Sequence, residues 1–303
     1  METVLIAGGS GTVGKHLSKM LLEKGYEVAW LSRKRIEVAD IKIHLWNVEN
    51  KFIEDEAILS ADYIINLSGT NIGEKRWSSK RKNKILNSRV ESTKLLFEKV
   101  KKLNKNLDAF ITSSAVGYYG MTTSNNIFNE DDRPATDFLG EVCNKWENES
   151  KLFEELGIRT VQVRTGVVLN RGAGALSKMM LPIKMFVGSP LGSGKQYVPW
   201  IHIEDLCNIF IKSLEDSSMT GAYNAVVPES ITNSSFTKIL AQQLNKPLFM
   251  PNVPSFVLTI LLGEMSKLVL EGSRVSSDKI QNSGYRFLYP DLLSALNQLF
   301  SDI

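Results

Sequence analysis

Met1-Glu-Thr-Val-Leu-Ile-Ala-Gly-Gly-Ser-Gly-Thr-Val-Gly14 is the stretch whose reading decides the fold. Residues 4–7 form an apolar run of strand length, and it stops at glycines spaced three apart, Gly8, Gly11 and Gly14. Residues 15–24 follow, with Leu17, Met20 and Leu21 at helical spacing. Strand, glycine turn and helix in that order are the context in which a glycine pattern reads as a dinucleotide site. Glycine lets the backbone turn tightly and lets a pyrophosphate approach without meeting a Cβ. The helix behind it offers unpaired N–H groups and partial positive charge. Gly8, Ser10, Gly11, Thr12, Val13 and Gly14 are therefore the expected phosphate cradle. A purely structural turn is the alternative, and it leaves the flanking strand and helix unexplained.

Working outward, residues 26–32 read as a second strand that runs at once into Arg33-Lys34-Arg35. In dinucleotide folds the end of this strand meets the adenosine ribose. An acid there bonds the 2′-hydroxyl of NAD, and basic groups accept the 2′-phosphate of NADP. No Asp or Glu lies between Val28 and Ile36, and Ser32 and Arg33 suit a phosphate. NADP(H) is expected in preference to NAD(H). A weak strand at 41–45 leads to Trp46-Asn47, and residues 63–67 form a buried strand ending in Ser68-Gly69. A long helix is expected over 79–102 with Arg89 at its middle, and a strand over 109–114 ends in Ser113 and Ser114. The polar loop 122–133 is expected to reach over the site. A helix over 138–156 and a strand over 160–164, prolonged through 165–169, complete an alternation that predicts a parallel, doubly wound α/β sheet.

Beyond residue 170 the alternation breaks down into glycine-rich loops and helical segments. Residues 1–170 are read as a dinucleotide-binding Rossmann domain, to which a strand near 221–228 returns. Residues 171–220 and 229–303 are read as a smaller C-terminal substrate lobe. Its apolar stretch 255–270 is expected to be core.

Composition excludes several function classes. The 303 residues are 43% hydrophobic and 23% charged, an ordinary globular balance. The 36 basic residues stand against 33 acidic ones, and a net charge of +3 argues for neither nucleic acid nor an anionic membrane. Two cysteines, Cys143 and Cys207, and three dispersed histidines give neither a disulfide framework nor a metal-ligand set. A strand near Met1 leaves no room for a signal peptide, and no apolar run approaches a membrane span, so a cytoplasmic protein is expected. The expected partner is a small-molecule substrate, with a homodimer left open.

Several segments in fixed order carry a family resemblance. They include the Gly8–Gly14 turn, Asn66-Leu-Ser-Gly69, Arg76-Trp77, Ser88-Arg89-Val90 and Ser113-Ser-Ala-Val-Gly-Tyr-Tyr-Gly120. To these are added Lys145-Trp-Glu147, Arg164-Thr-Gly-Val-Val-Leu169, Trp200-Ile-His-Ile-Glu-Asp205 and Leu262-Gly-Glu264. Together they resemble the atypical, extended-type short-chain dehydrogenase/reductases of the YfcH-like (SDR39U-type) epimerase/dehydratase group, over nearly the whole chain. The resemblance implies an NADP(H)-binding oxidoreductase or epimerase. It implies cofactor contacts from Asn47, Leu67, Ser68, Gly69, Arg89 and Ser113 besides the cradle.

It also shows a departure. Working members of that superfamily use a Tyr and a Lys four residues later to move a proton. No Tyr-x-x-x-Lys occurs in this chain, and counting along the motifs puts Leu139 and Cys143 at those positions. Ala115, with Ser114 beside it, falls where a Ser or Thr is expected. A replacement donor would come from Tyr118, Tyr119, Ser114 or His202, with Tyr118 favoured because it follows the active-site strand. His202 between two isoleucines reads better as a core histidine. Two functions follow: an NADP(H)-dependent oxidoreductase without the usual dyad, an epimerase/dehydratase or, as the better specific reading, a reductase; or a non-catalytic NADP(H)-binding regulatory or scaffold protein.

Overall fold

The computed structural model describes residues 1–172 and 174–301. The chain runs β1 (Thr3–Ala7), α1 (Thr12–Glu23), β2 (Glu27–Ser32), β3 (Ile41–Asn47), β4 (Phe52–Ile53), α2 (Asp55–Leu59), β5 (Tyr63–Asn66) and α3 (Ser79–Leu103). It continues with β6 (Ala109–Ala115), β7 (Ile127–Phe128), α4 (Phe138–Lys151), β8 (Arg159–Thr165), β9 (Val167–Leu169), α5 (Gly174–Lys184), β10 (Trp200–His202), α6 (Ile203–Glu215) and β11 (Gly221–Ala225). Then come α7 (Asn233–Gln243), α8 (Ser255–Leu262), α9 (Lys267–Leu270), β12 (Arg274–Val275), α10 (Asp278–Asn282) and α11 (Leu292–Phe300).

The main sheet has the order β11-β8-β6-β5-β1-β2-β3-β4, parallel except for the terminal β3–β4 pair. Strand β1 sits at the switch point: successive strands leave it on one side through β2 and on the other through β5. In open α/β sheets that crevice, at the carboxyl ends of the strands, is where ligands bind. Both sheet faces are apolar because both are covered. Val4 and Ile6 face a core shared with α1 and α6, while Leu5 and Ala7 face one shared with α3 and Phe153. The Phe110 and Phe153 rings stack at 3.7 Å across the second of these.

The sequence prolongs β8 through residue 169, but the strand breaks at Gly166. A Cβ there would lie 2.7 Å from the Pro199 carbonyl oxygen. The chain therefore leaves the sheet, and β9 pairs with β10 as a separate two-stranded unit. These strands floor the C-terminal lobe, whose core gathers Trp200, Phe236, Leu240, Leu292 and Leu296. Strand β11 returns to the main sheet beside β8. Asp205 ties the lobe's end to α6: its carboxylate accepts from the Tyr285 hydroxyl at 2.7 Å and from the Leu288 and Tyr289 amides.

Candidate functional site

The glycine turn joins β1 to α1 at the switch point. Gly8 has φ +87°, a left-handed conformation, and a Cβ there would lie 2.9 Å from the Leu67 backbone. At Gly14 a Cβ would lie 2.6 Å from Gly8 O and from Gly9 Cα, so this glycine lets α1 seat against the turn. Gly11 differs. Its φ is −74°, and a Cβ would meet only Gly8 O, at 3.3 Å. That one backbone oxygen is the only close neighbour, and the residue itself is exposed. Ser10, Gly11 and Thr12 are exposed, with Val13 half-buried. Helix α1 also has no side-chain cap and no acid in its first turn, whereas α3, α4, α7 and α11 are capped by Ser78, Asp137, Thr232 and Asp291. An uncapped helix start over an open glycine turn suits a pyrophosphate.

Trp30 supports this turn from below, a role the glycine spacing alone does not reveal. A Cβ on Gly9 would lie 2.3 Å from the indole, and Trp30 Nε1 donates to Ser18 Oγ at 2.7 Å. Ser18 in turn donates to Gly14 O.

At the end of β2, Arg33 is exposed and has no hydrogen bond or ion pair among the described residues. Arg35 is held by Glu54 at 2.6 Å. Ser32 Oγ donates to Lys34 O at 2.7 Å, which shapes the loop around Arg33. Asn47 serves its own turn, with Oδ1 accepting from the Asn50 amide at 3.0 Å.

The β5 end lies beside the β1 end through Leu67 N donating to Ala7 O at 2.8 Å. Ser68 turns its hydroxyl inward, within hydrogen-bond reach of Asn66 Oδ1 and at 2.8 Å from Ser92 Oγ on α3. Asn66 Nδ2 donates to Thr93 Oγ1 at 2.9 Å, completing a buried polar seam between strand and helix. Half-buried Arg89 donates to Thr70 O at 3.1 Å and to Ile85 O at 2.9 Å, and lies 5.2 Å from the Trp146 ring. A Cβ on Gly69 would be 3.1 Å from its guanidinium carbon, so this glycine makes room for Arg89. The resemblance implies a cofactor contact at that glycine, and the packing gives it a second requirement, room for a side chain. Burial lowers the Arg89 pKa from its ordinary value.

The missing dyad has a clear structural counterpart. Leu139 and Cys143 share one face of α4, four residues apart, and both are buried. A Cβ on Gly117 would lie 3.2 Å from Leu139 Cβ and 3.8 Å from Cys143 Sγ. The face where proton chemistry is expected is thus packed shut by an alkyl group and a thiol. Burial, with the Glu147 charge adding to it, pushes that thiol up to about 12.

The neighbouring polar groups are committed to one another. Ser114 Oγ donates to Glu147 Oε1 at 2.7 Å. Glu147 forms a two-pronged ion pair with Arg164, 2.8 Å at each prong, both side chains being buried. Arg164 donates on to the Tyr119 hydroxyl at 3.0 Å, and Tyr119 donates to Asn224 Oδ1 at 2.7 Å. The Asn224 amide donates to Glu130 Oε1 at 2.7 Å, fastening the loop 122–133 to β11. Strand β7 in that loop pairs with β12, a second fastening. His202 caps α6, accepting from the Glu204 amide, and its other ring nitrogen meets Gln298 at 3.0 Å. Tyr118 is the candidate left over. Its ring lies 3.5 Å from the Arg164 guanidinium carbon, and no acceptor takes its O–H among the described residues. Burial raises its pKa against the opposing pull of Arg164.

Residues 4–143 match the NAD dependent epimerase/dehydratase family, and residues 253–299 match a domain of unknown function, DUF1731. The Bacillus subtilis epimerase family protein YfhF is 36% identical over 302 residues, covering 99% of this chain and 98% of that one. The chain belongs to this epimerase family. A crystal structure of human epimerase family protein SDR39U1 (isoform2) with NADPH superposes with a TM-score of 0.89 at 33% identity, covering 99% of this chain and all of that one. A nucleoside-diphosphate sugar epimerase structure from Corynebacterium glutamicum gives 0.79 at 30% identity, covering 98% of this chain and 57% of the other. The family's Rossmann-type extended fold is the one found here. Among the described residues no helix is long and apolar enough to cross a membrane.

Proposed function

We propose that this epimerase-family chain is an NADP(H)-dependent oxidoreductase that reduces a small carbonyl compound, with Tyr118 donating the proton. The observation that carries the cofactor preference is Arg33, an exposed guanidinium at the end of β2 without a partner among the described residues and with no Asp or Glu between Val28 and Ile36. Its planar fork fits a 2′-phosphate, and the glycine turn with the uncapped α1 would take the pyrophosphate. NADPH, when bound, supplies the hydride. The human relative crystallised with NADPH supports the same choice.

Tyr118 is favoured because its competitors are spent. Ser114, Tyr119 and His202 are bonded within the protein. Arg164 can only donate hydrogen bonds, so it leaves the Tyr118 O–H free to give a proton. With its pKa raised, the phenol stays protonated at neutral pH and acts as an acid. The packed Leu139–Cys143 face favours a second reading, an NADP(H)-binding regulatory or scaffold protein.

The two readings separate in one assay. NADPH consumption is followed over a panel of aldehydes and ketones with the native chain and with Tyr118→Phe. The reductase reading expects turnover of at least one carbonyl and its loss, by about a hundredfold or more, in the variant. Tight NADPH binding without turnover of any carbonyl would establish the regulatory reading.

A further inference from the structure

The sequence expects residues 255–270 to be core, yet none of the eight residues of α8 is buried. Its sequence, Ser-Phe-Val-Leu-Thr-Ile-Leu-Leu, is apolar nearly all round, and Phe256, Ile260 and Leu261 are 65%, 69% and 62% exposed. A helix apolar nearly all round is normally buried, in a protein core or in lipid. The exposure does not stop at α8. Phe249 lies on the segment leading to it, and Met185 and Phe186 lie just past the end of α5.

These pieces form one surface. Gly192 N donates to Val253 O and Val253 N to Pro190 O, joining the chain after α5 to the chain before α8. Lys246 Nζ sits 4.3 Å from the Phe186 ring centroid, so the turn after α7 is in the same patch.

Charge is segregated on this lobe. Between Arg171 and Ile203 the other charged residues are Lys178, Lys184 and Lys195, with no Asp or Glu. Between Ser230 and Gly263 they are Lys238 and Lys246, again with no acid. None of these five lysines has a carboxylate partner among the described residues. The near-balance of the whole chain hides this local excess. A second copy docked through the same face would bring together two patches that both carry lysine and take no acid from these two stretches to offset it. A negatively charged, apolar-cored surface answers both features.

We propose that the α5–α8 face of the C-terminal lobe docks peripherally on an anionic lipid bilayer. Phe256 and Ile260 enter the headgroup boundary while Lys184 and Lys246, beside Met185 and Phe186, meet lipid phosphates. This docking is independent of the cofactor site and of the proposed reduction.

The test is co-sedimentation of the full chain with vesicles of phosphatidylcholine alone and of phosphatidylcholine with phosphatidylglycerol. The chain is expected to pellet with the second and stay in solution with the first, and added salt should release it. Ile260→Asn should weaken partition about tenfold, through loss of inserted apolar area. Lys184→Gln should weaken it about fivefold, as expected for one surface charge. Both positions are exposed, and far-UV circular dichroism with NADPH titration checks that each variant is folded. The proposal is overturned if the native chain stays soluble with anionic vesicles, or pellets equally with neutral ones. It is also overturned if the chain forms a dimer that Ile260→Asn disperses and that binds no vesicle.

Discussion

The glycine turn and the Leu139–Cys143 face belong to one fold, yet one is built open and the other shut. At Gly11 a Cβ would meet only one backbone oxygen, and α1 begins without a cap. At Gly117 the missing side chain is filled by Leu139 and Cys143, and the hydroxyl of Ser114 is held by Glu147. On the proposed function, a cofactor cradle stands beside a face where packing and a buried ion pair take the place of the acid–base pair. The first region leaves backbone groups open, and the second is closed by packing.

The largest effect should come from the shut region. Glu147→Gln leaves Arg164 without its buried counter-charge and should cost about 3–5 kcal/mol in urea unfolding. A loss below about 1 kcal/mol would mean that the pair is not the anchor described here.

The glycines sharpen the contrast within the open region. Gly14→Ala forces a Cβ against Gly8 and Gly9 and should lower stability by about 1–3 kcal/mol. Gly11→Ala should leave the melting temperature nearly unchanged but weaken NADPH binding about tenfold, because its Cβ occupies the space left for the phosphates. Equal NADPH affinity in the native chain and Gly11→Ala would remove the cradle assignment.

A pH slope tests the shut region in another way. The Cys143 thiol is pushed from 9.0 up to about 12 in the folded state. Between those values the unfolded chain releases a proton that the folded chain retains, so stability falls as pH rises from about 9 toward 12. Cys143→Ala should flatten part of that fall in a series of alkaline melts; buried Cys207 and the buried phenols of Tyr63, Tyr119 and Tyr285, shifted the same way, contribute to the rest. Parallel curves for the two proteins would show that Cys143 is accessible when folded.

Much of the fold is legible in the sequence because it is local. The strand–glycine–helix order and the alternation through β8 follow from neighbours in the chain. Gly8 and Gly14 are required by contacts within a few residues or by the adjoining strand. What escapes is long-range commitment. Ser114 and Glu147 are 33 residues apart, and Tyr119 and Asn224 are 105 apart, so no spacing rule shows that those hydroxyls are engaged. The sequence offers Ser68 as a ligand contact and does not show that its hydroxyl is bonded to Asn66 and Ser92. Gly9 carries no reading in the sequence, and only the structure shows that the Trp30 indole requires it. The exposure of α8 escapes for another reason: an apolar run reads as core unless the rest of the lobe is known to leave it uncovered. Arg33 is read correctly as a basic residue at a strand end, but only the structure shows it without a partner.

The central claim is that the open region selects NADP(H), and fluorescence titration of NADPH and NADH into the native chain and Arg33→Gln tests it most directly. The account predicts NADPH bound at least tenfold more tightly than NADH by the native chain. In the variant NADPH affinity should fall about 10- to 100-fold, with NADH unchanged, as for loss of a charge-assisted phosphate contact. Equal affinity for the two cofactors in the native chain, or equal weakening of both in Arg33→Gln, would contradict it.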